Sequence, residues 1–423
     1  MFLISYLIEY NRYLNLVGIA FILFIAYLFS SNKKKIDYRL VGTALLMQFV
    51  IGFIALKTWI GGTFLYYVSV LVQQLYLFAD KGIQFVFGAL GTNTAPWGVI
   101  FAVQILPIIV FFGALMSLLF YLGVIQWLVA GINLIVRPLL GTSGAETLCA
   151  VSNSFLGQTE APLLVQHYLK DMTKSEMFVV MVSGMATISG AILAVYSKLG
   201  VPTSAMLASS AMAIPASILI AKIILPETQK TKTGSGAQVE LESKSKNIFD
   251  AISAGTSDGL QLALNVGAML IVFIALIGML DSILLYLSLG VNWIADLIHL
   301  GWNMPLLNLK MIFAFVFRPF AFFLGFTGDT AVKVAELLGT KVSINEFVAY
   351  LEMVPMKLPA RAEMIVTYAL CGFANFSCIG IQIGGIGVLV PEKRQWLTEL
   401  GLKTVLASSL ANLSTAMIAS LLL

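Results

Sequence analysis

Charged residues are scarce in this chain of 423 residues. Only 11% are Asp, Glu, Lys or Arg, against roughly 25% in an average globular protein. A soluble protein of this length would need many more charges to cover its surface, and the hydrophobic share here is 59%. The composition therefore excludes a soluble enzyme and indicates an integral membrane protein.

Residues that build disulfides, zinc sites and catalytic centres are also few. The three cysteines, Cys149, Cys371 and Cys378, lie in apolar surroundings without C-x-x-C spacing, which predicts neither a disulfide nor a zinc site. The two histidines, His167 and His299, belong to no polar cluster, so we interpret them as interfacial residues rather than as a proton relay. The His/Asp or Ser/Lys clusters of membrane enzymes are missing from the sequence. The net charge of +4 is small and arises in loops, which argues against nucleic acid as a partner.

Long apolar runs are what the sequence does contain. A helix spans a bilayer with about 20 mostly apolar residues, whereas a transmembrane β-barrel would show stretches of about 10 residues with alternating polarity. The pattern predicts transmembrane α-helices. The clearest runs are Leu14–Ser31, Leu40–Ala55, Gly98–Leu122, Thr203–Leu225, Leu260–Leu287 and Gly401–Leu423.

The first run is interpreted as a retained span rather than a cleaved signal peptide. Glu9 and Arg12 precede it, it is too long for a signal, and no small-x-small cleavage site comes before Lys33. Lys and Arg in short loops mark the cytoplasmic side of a membrane. The basic cluster at 33–39 therefore predicts an N-terminus on the outer side.

Later loops agree with this orientation. The polar stretch 226–247 has a Gly-Ser-Gly-Ala centre and several lysines, and it reads as a flexible cytoplasmic linker between two halves. Lys393 and Arg394 precede the last span on the same side. The C-terminus is then expected on the outer side as well.

Two regions, 141–190 and 325–387, interrupt the plain spans in the same order. Each begins with a Gly/Thr-rich stretch, presents a carboxylate (Glu160 or Glu346), and closes with an apolar segment broken by small polar residues around Thr187 or Asn375. The carboxylate and the broken segment lie 27 residues apart in the first region and 29 in the second. Short interrupted segments at matching places in two halves point to a transporter binding site.

The two carboxylates support a functional interpretation. A charged residue near the bilayer centre costs at least ~2.5 kcal/mol, and non-helical backbone at that depth survives only when buried in protein or facing a water-filled cavity. Re-entrant hairpins would satisfy both conditions. The alternative is that Glu160 and Glu346 lie at the interface and cap half-helices.

Four segments carry a family resemblance. They resemble the signature segments of the concentrative nucleoside transporter family, in the same order, and the similarity extends over nearly the whole chain in a bacterial-type form. The segments are Gly157–Pro162, Leu264–Leu270, Asn345–Tyr350 and Cys371–Ser377.

The resemblance implies an all-α integral membrane protein of about eight transmembrane helices, interfacial helices and two re-entrant helical hairpins. It implies a homotrimer in which a transport domain moves against a scaffold, as in an elevator. The expected divisions are scaffold helices at 1–136, a first transport half at 137–225, the linker at 226–247, a long scaffold span with a connecting helix at 248–310, and a second transport half at 311–423.

The resemblance also implies a substrate site. Gln158, Thr159 and Glu160 would hydrogen-bond the nucleobase, and Glu346 and Asn375 the ribose hydroxyls. Apolar side chains near the base would come from Ile192, Leu262 and Phe373. For Leu262 and Phe373, ordinary helix packing is the alternative.

One site position departs from the family pattern. Cys378 stands where a serine usually offers its hydroxyl to the ribose, and a thiol is a larger and weaker donor. We expect Cys378 to face the aqueous substrate cavity.

The coupling ion implied by the resemblance is Na⁺. Its ligands would be the side chains of Asn153 and Thr187 and the backbone carbonyls of Leu156 and Ile188. Unwound carbonyls and half-helix C-termini are the oxygen ligands that transporters use for this ion.

The predicted function is import of nucleosides such as uridine across the inner membrane, driven by an inward Na⁺ gradient, with Na⁺ and membrane lipid as the other partners and no cofactor. A proton-coupled nucleoside symporter is the alternative within the family. A carrier for another small polar solute is the alternative outside it, although Arg361 lies in a loop rather than on a late span. A channel would differ by showing unitary currents.

Overall fold

The structure is a computed structural model that describes residues 2–92, 100–232, 245–299 and 301–423. Within these ranges the regular structure is entirely helical, without a strand. The predicted all-α fold is confirmed. The centre of the polar linker, residues 233–244, lies outside the described residues, as do residues 98 and 99 at the start of one predicted span.

Seven helices precede the first interrupted region. The two longest begin at side-chain caps; at one of them the Asp37 carboxylate accepts from the backbone N–H of Arg39 and Leu40. The helices are α1 (Phe2–Ile8), α2 (Arg12–Leu28), α3 (Tyr38–Lys57), α4 (Trp59–Phe87), α5 (Phe101–Gln104), α6 (Leu106–Tyr121) and α7 (Val124–Leu140).

The first interrupted region and the residues that follow it form a short helix, an irregular turn, a second short helical segment, a broken helix and a long helix. Ser143 and Glu146 form a reciprocal capping box at its start. Its elements are α8 (Gly144–Ser152), a 3₁₀ segment (Ala161–Val165), α9 (Gln166–Leu169), α10 (Lys174–Ala186), α11 (Gly190–Lys198) and α12 (Thr203–Ile224).

The second half repeats this order after two connecting helices. Those two are α13 (Ile248–Leu297) and α14 (Leu309–Phe323), and α14 meets the next helix at a bend of 119°. The repeated elements are α15 (Gly328–Ser343), α16 (Glu346–Met353), the broken pair α17 (Ala360–Leu370) and α18 (Ser377–Leu389), and the long α19 (Arg394–Leu422).

Eight helical segments of the described chain are long and apolar enough to cross a membrane, which matches the predicted number. Six overlap the predicted runs. The other two, Trp59–Gly91 and Lys174–Lys198, were not among the clearest runs, because polar and small residues interrupt their apolar stretches.

Packing separates a buried core from an exposed rim. Helices α10, α12 and α19 form the core, and α2 and α3 pack directly on α12 and α19. The 50-residue α13 packs chiefly on α6, where Gly113 and Gly259 let the two backbones approach: a Cβ on Gly259 would lie 2.9 Å from the Ile109 carbonyl oxygen. Many of the other described side chains of α13 are exposed and apolar, with Phe249 83% exposed.

Two of the expected domain boundaries fall inside helices. The boundary after residue 136 lies within α7, which continues to Leu140 and ends at Gly141 with a positive φ of 67°. The boundary after residue 310 lies within α14. A continuous hydrogen-bonded helix is one structural unit, so the helix end at Gly141 is the structural boundary nearest to the first of these.

Candidate functional site

Two helix breaks meet at the centre of the molecule. Between α10 and α11 the chain is extended at Thr187, and between α17 and α18 it is irregular from Cys371 to Phe376. The breaks contact each other, because the backbone N–H of Phe373 donates to the Thr187 carbonyl oxygen at 3.3 Å. The turn after α8 joins them, since Gly190 N–H donates to the Phe155 carbonyl oxygen at 3.0 Å.

Glu346 lies in this centre at the first turn of α16. Its side chain is 4% exposed, and both carboxylate oxygens accept a hydrogen bond. The Tyr196 hydroxyl donates to one oxygen at 2.7 Å, and the Asn375 amide donates to the other at 3.1 Å. Asn345, not Glu346, caps the helix with its side chain. Glu346 is therefore a buried acceptor on the helix rather than its cap.

Asn375 continues the network toward residues 153–160, the turn between α8 and the 3₁₀ segment, here called the first hairpin turn. Its amide oxygen accepts from the Ser377 hydroxyl at 2.6 Å and from the Cys378 backbone N–H at 3.0 Å. The Gln158 amide donates to the Cys378 sulfur at 3.2 Å, although 220 residues separate them. The Gln158 amide oxygen is buried without a hydrogen-bond partner in the described chain. Buried acceptors are normally satisfied, so this oxygen is available to a ligand.

Cys378 does not face an open cavity. Its side chain is 3% exposed, and the sulfur is covered by Gln158 and the neighbouring helices. The expectation of an accessible thiol is wrong in this conformation, because the first hairpin turn closes over the start of α18.

The remaining predicted substrate residues differ in burial. Ile192 is buried, whereas Leu262 on α13 and Phe373 are half-buried. Thr159 packs on the backbone of α18, where a Cβ on Gly385 would lie 2.6 Å from its methyl group. Glu160 is exposed, and its carboxylate accepts from the Gly157 N–H at 3.0 Å. Glu160 therefore orders the hairpin turn and leaves an oxygen toward the surface.

The predicted cation residues lie on two segments, the turn after α8 and the break after α10, which the hydrogen bond from Gly190 to Phe155 joins. Asn153 is fully buried, and its amide donates to the Ser183 hydroxyl at 3.0 Å. Its amide oxygen has no partner among the described residues. Thr187 lies at the break of α10, and Leu156 and Ile188 are buried beside it. An orphaned amide oxygen close to broken-helix carbonyls fits a Na⁺ site.

The structure adds residues that the sequence did not single out. Tyr196 binds Glu346, Ser183 binds Asn153, and the Lys341 ammonium is buried beside Asn412. A sequence signal existed for Asn412, because an amide inside a predicted span normally finds another helix or a ligand. Tyr196 gave no such signal, nor did Lys341, whose helix also carries Asp329, Lys333 and Glu336.

A buried ion pair anchors the base of the first hairpin. Lys222 near the end of α12 lies 2.7 Å from the carboxylate of Glu146 and donates to the Ser175 hydroxyl at 3.1 Å. Both charged side chains are almost completely buried. Removing either partner of such a pair would leave an uncompensated buried charge, which is strongly destabilising. The pair therefore holds the first turn of α8 against α12.

Comparison with known proteins gives consistent results along the chain. Residues 17–90 match a family model described as Na⁺ dependent nucleoside transporter N-terminus, and residues 205–420 match its C-terminus. Residues 102–203 match a model described as nucleoside recognition.

Individual relatives agree with these matches. An uncharacterized transporter of Haemophilus influenzae is 41% identical, with 96% of this chain and 97% of the relative covered. The nucleoside permease NupC of Helicobacter pylori is 36% identical, with 97% and 98% covered. The solved structure of CNTnw in an inward-facing substrate-bound state superposes with a TM-score of 0.88 at 38% identity, covering 97% of this chain and 98% of that one.

Proposed function

The chain belongs to the Na⁺-dependent nucleoside transporter family, and from this premise we propose that it imports nucleosides across the inner membrane together with Na⁺. Its relatives are multi-pass membrane transporters, not enzymes, and the coupling ion of the family is Na⁺. The observation that carries the proposal is the buried network from Glu346 through Asn375 and Cys378 to Gln158.

The chemistry of this network suits a nucleoside. A nucleoside is uncharged but rich in donors and acceptors, so its site needs amides and one carboxylate rather than an arginine clamp. Glu346 would accept from the two ribose hydroxyls, with Asn375 beside it. Gln158, Thr159 and Glu160 would face the nucleobase, and the free amide oxygen of Gln158 would accept from a ring N–H or amino group.

The ion site supports coupling to Na⁺. Asn153 would supply its orphaned amide oxygen, Thr187 its hydroxyl, and Leu156 and Ile188 their carbonyls. Because Thr187 also accepts a backbone bond from Phe373, a cation here would order the break next to the substrate network. Ion and nucleoside would then stabilise the same arrangement, which is the condition for coupling.

The packing suggests how the molecule divides during transport. We place α6 and α13 in a stationary scaffold and both interrupted regions in a moving transport domain. Because α2 and α3 pack on α12 and α19, we assign them to the moving domain, which differs from a scaffold covering 1–136. The exposed apolar face of α13 would contact lipid or the other subunits of a homotrimer, with both termini on the outer side.

Proteoliposomes test the proposal. An inward Na⁺ gradient should drive accumulation of radiolabelled uridine, and Asn153→Ala should weaken the Na⁺ dependence more than the nucleoside preference, because it removes an ion ligand. Asn133→Ala is a matched control. Asn133 is also a buried asparagine with an unpartnered amide oxygen, but it lies on α7, outside the predicted site.

Two results would contradict the proposal. Uptake that ignores Na⁺ and collapses when a pH gradient is dissipated would identify a proton-coupled transporter. Unitary currents in planar bilayers would identify a channel.

A further inference from the structure

The ends of two broken helices converge on one side chain in the core. The Asn412 amide on α19 donates to the carbonyl oxygen of Ala186 at 2.7 Å and to that of Cys371 at 2.9 Å. Ala186 ends α10 and Cys371 follows α17. A helix C-terminus carries roughly half a negative elementary charge. Two such ends facing each other inside a membrane favour a cation between or beside them.

Lys341 supplies a cation at this place. It lies in the last turn of α15 and is only 2% exposed. Its ammonium donates to the Ala369 carbonyl oxygen at 2.8 Å and to the Asn412 amide oxygen at 2.7 Å. Glu346, a member of the substrate network, begins the next helix five residues further along the chain. A buried ammonium is costly unless oxygens surround it, and carbonyl and amide oxygens are the ligands transporters give to Na⁺.

Lys341 lies close to the place in the second half that corresponds to Asn153 in the first, five residues before Glu346 against seven before Glu160. Asn153 directly follows α8, the first hairpin helix, and contacts the next broken helix through Ser183 on α10. Lys341 lies in the last turn of α15, the second hairpin helix, and contacts its broken helix through Ala369 on α17. The first half leaves an amide oxygen unpartnered at this point. The second half fills the point with its own ammonium.

We propose that Lys341 is a built-in cation, occupying in the second half the place that the coupling Na⁺ takes in the first, so that one Na⁺ accompanies each nucleoside. This inference rests on the proposed function. In both halves a hairpin helix and a broken helix end close together and need a positive charge there. In the first half that charge is a Na⁺ ion, which exchanges with solution. In the second half it is the ammonium of Lys341, which does not.

The decisive variant is Lys341→Asn. It removes the ammonium and leaves an oxygen-lined space that Na⁺ can enter, with Asn412 and the Ala369 carbonyl as ready ligands. The wild type should take up one Na⁺ per uridine, and the variant two. With a tenfold Na⁺ gradient and no membrane potential, accumulation would rise from about 10-fold to about 100-fold, since each coupled ion contributes one factor of the gradient.

Three further variants serve as controls. Lys341→Met also removes the charge but offers no oxygen, so it should keep a ratio of one and lose thermal stability in both salts. Lys341→Arg keeps the charge and should resemble the wild type. Lys333→Gln removes a partly exposed lysine that pairs with Asp329 on the same helix, and should change nothing.

A second readout does not depend on transport. The melting temperature of detergent-purified protein is compared in NaCl and choline chloride. Na⁺ should raise the melting temperature of Lys341→Asn more than that of the wild type, and more than that of Lys341→Met.

Several outcomes would overturn the proposal. An unchanged ratio of one in Lys341→Asn, with no added Na⁺ stabilisation, would make Lys341 a packing residue. Failure of Lys341→Asn to fold in NaCl while Lys341→Arg folds would show that Na⁺ cannot replace the ammonium. A wild type whose uptake ignores Na⁺ would overturn the proposed function instead, and the melting comparison would still decide the role of Lys341.

Discussion

At the residue scale, Glu346 is a buried carboxylate that two other side chains hold in place. Both of its oxygens accept hydrogen bonds, from Tyr196 and Asn375, so glutamine can replace its shape but not its two acceptors. Glu346→Gln should lower ribonucleoside affinity about 5- to 150-fold, from about 1–3 kcal/mol for a lost buried partner. Competition by unlabelled nucleosides against radiolabelled uridine measures the change.

The Glu346→Gln experiment has two controls, one in the choice of ligand and one in the protein. Analogues lacking the ribose hydroxyls should lose much less affinity in Glu346→Gln. Glu363→Gln, which changes a carboxylate on α17 outside the network, should leave both ligands unaffected. Equal losses for ribonucleosides and analogues would show that Glu346 holds the fold through Tyr196 instead.

Cys378 is a position at which this chain departs from the family pattern, so a substitution there tests a property of this chain in particular. A serine there would keep a partner for Gln158 and add the stronger donor usual at this position. Cys378→Ser should retain transport and tighten ribonucleoside binding by about 1 kcal/mol, or roughly fivefold, the net value of one hydrogen bond. Cys371→Ser, at a buried thiol that contacts the Met206 carbonyl instead, should keep wild-type affinity. Weaker binding in Cys378→Ser would make the thiol a packing group.

At the element scale, the break between α17 and α18 depends on one glycine. Gly372 has a φ of 155°, and a Cβ there would lie 2.6 Å from the Asn412 amide oxygen and 2.8 Å from the Ala186 carbonyl oxygen. Gly372→Ala should therefore destabilise the protein by about 1–3 kcal/mol, through strain and displaced hydrogen bonds. A thermal melt of the purified protein measures this loss.

Gly380 provides the matched substitution on the following helix. No atom lies within 4 Å of a Cβ added there, so Gly380→Ala should be neutral or slightly stabilising, as alanine favours helix over glycine by about 1 kcal/mol. If both alanine variants melt alike, the geometry at Asn412 does not constrain the break.

At the scale of the whole molecule, cross-linking separates moving from stationary helices. One cysteine pair replaces Met116 on α6 and Gly190 at the start of α11, where a Cβ would lie 3.6 Å from the Met116 sulfur. Joining this pair with a short bifunctional thiol reagent should arrest uridine uptake, because it ties the scaffold to the transport domain. The three native cysteines are buried and should react poorly.

A second pair addresses the first span. It replaces Gly18 on α2 and Met417 on α19, where a Cβ on Gly18 would meet the Met417 sulfur. If α2 moves with α19, this cross-link should leave uptake unchanged. Arrest by this cross-link would instead return α2 to the stationary scaffold.

The sequence by itself determined the class of the molecule and the order of its parts. A chain with 59% hydrophobic residues and few charges has to bury its backbone polar groups in helices within a bilayer, so the all-α membrane fold followed from composition. The breaks at Thr187 and near Asn375 were visible because small polar residues interrupt apolar runs. Such signals are local, because each depends only on the composition of a stretch of about 20 residues.

Only the tertiary structure decided which side chains meet. Gln158 reaches Cys378 across 220 positions, Tyr196 reaches Glu346 across 150, and Lys341 reaches Asn412 across 71. No periodicity records such distances, because they depend on how the helices of the two halves pack. For the same reason the sequence placed Cys378 in an open cavity, whereas the packed hairpin turn buries it. The division of the molecule, with α2 and α3 lying on α12 and α19, is likewise a property of packing rather than of any segment.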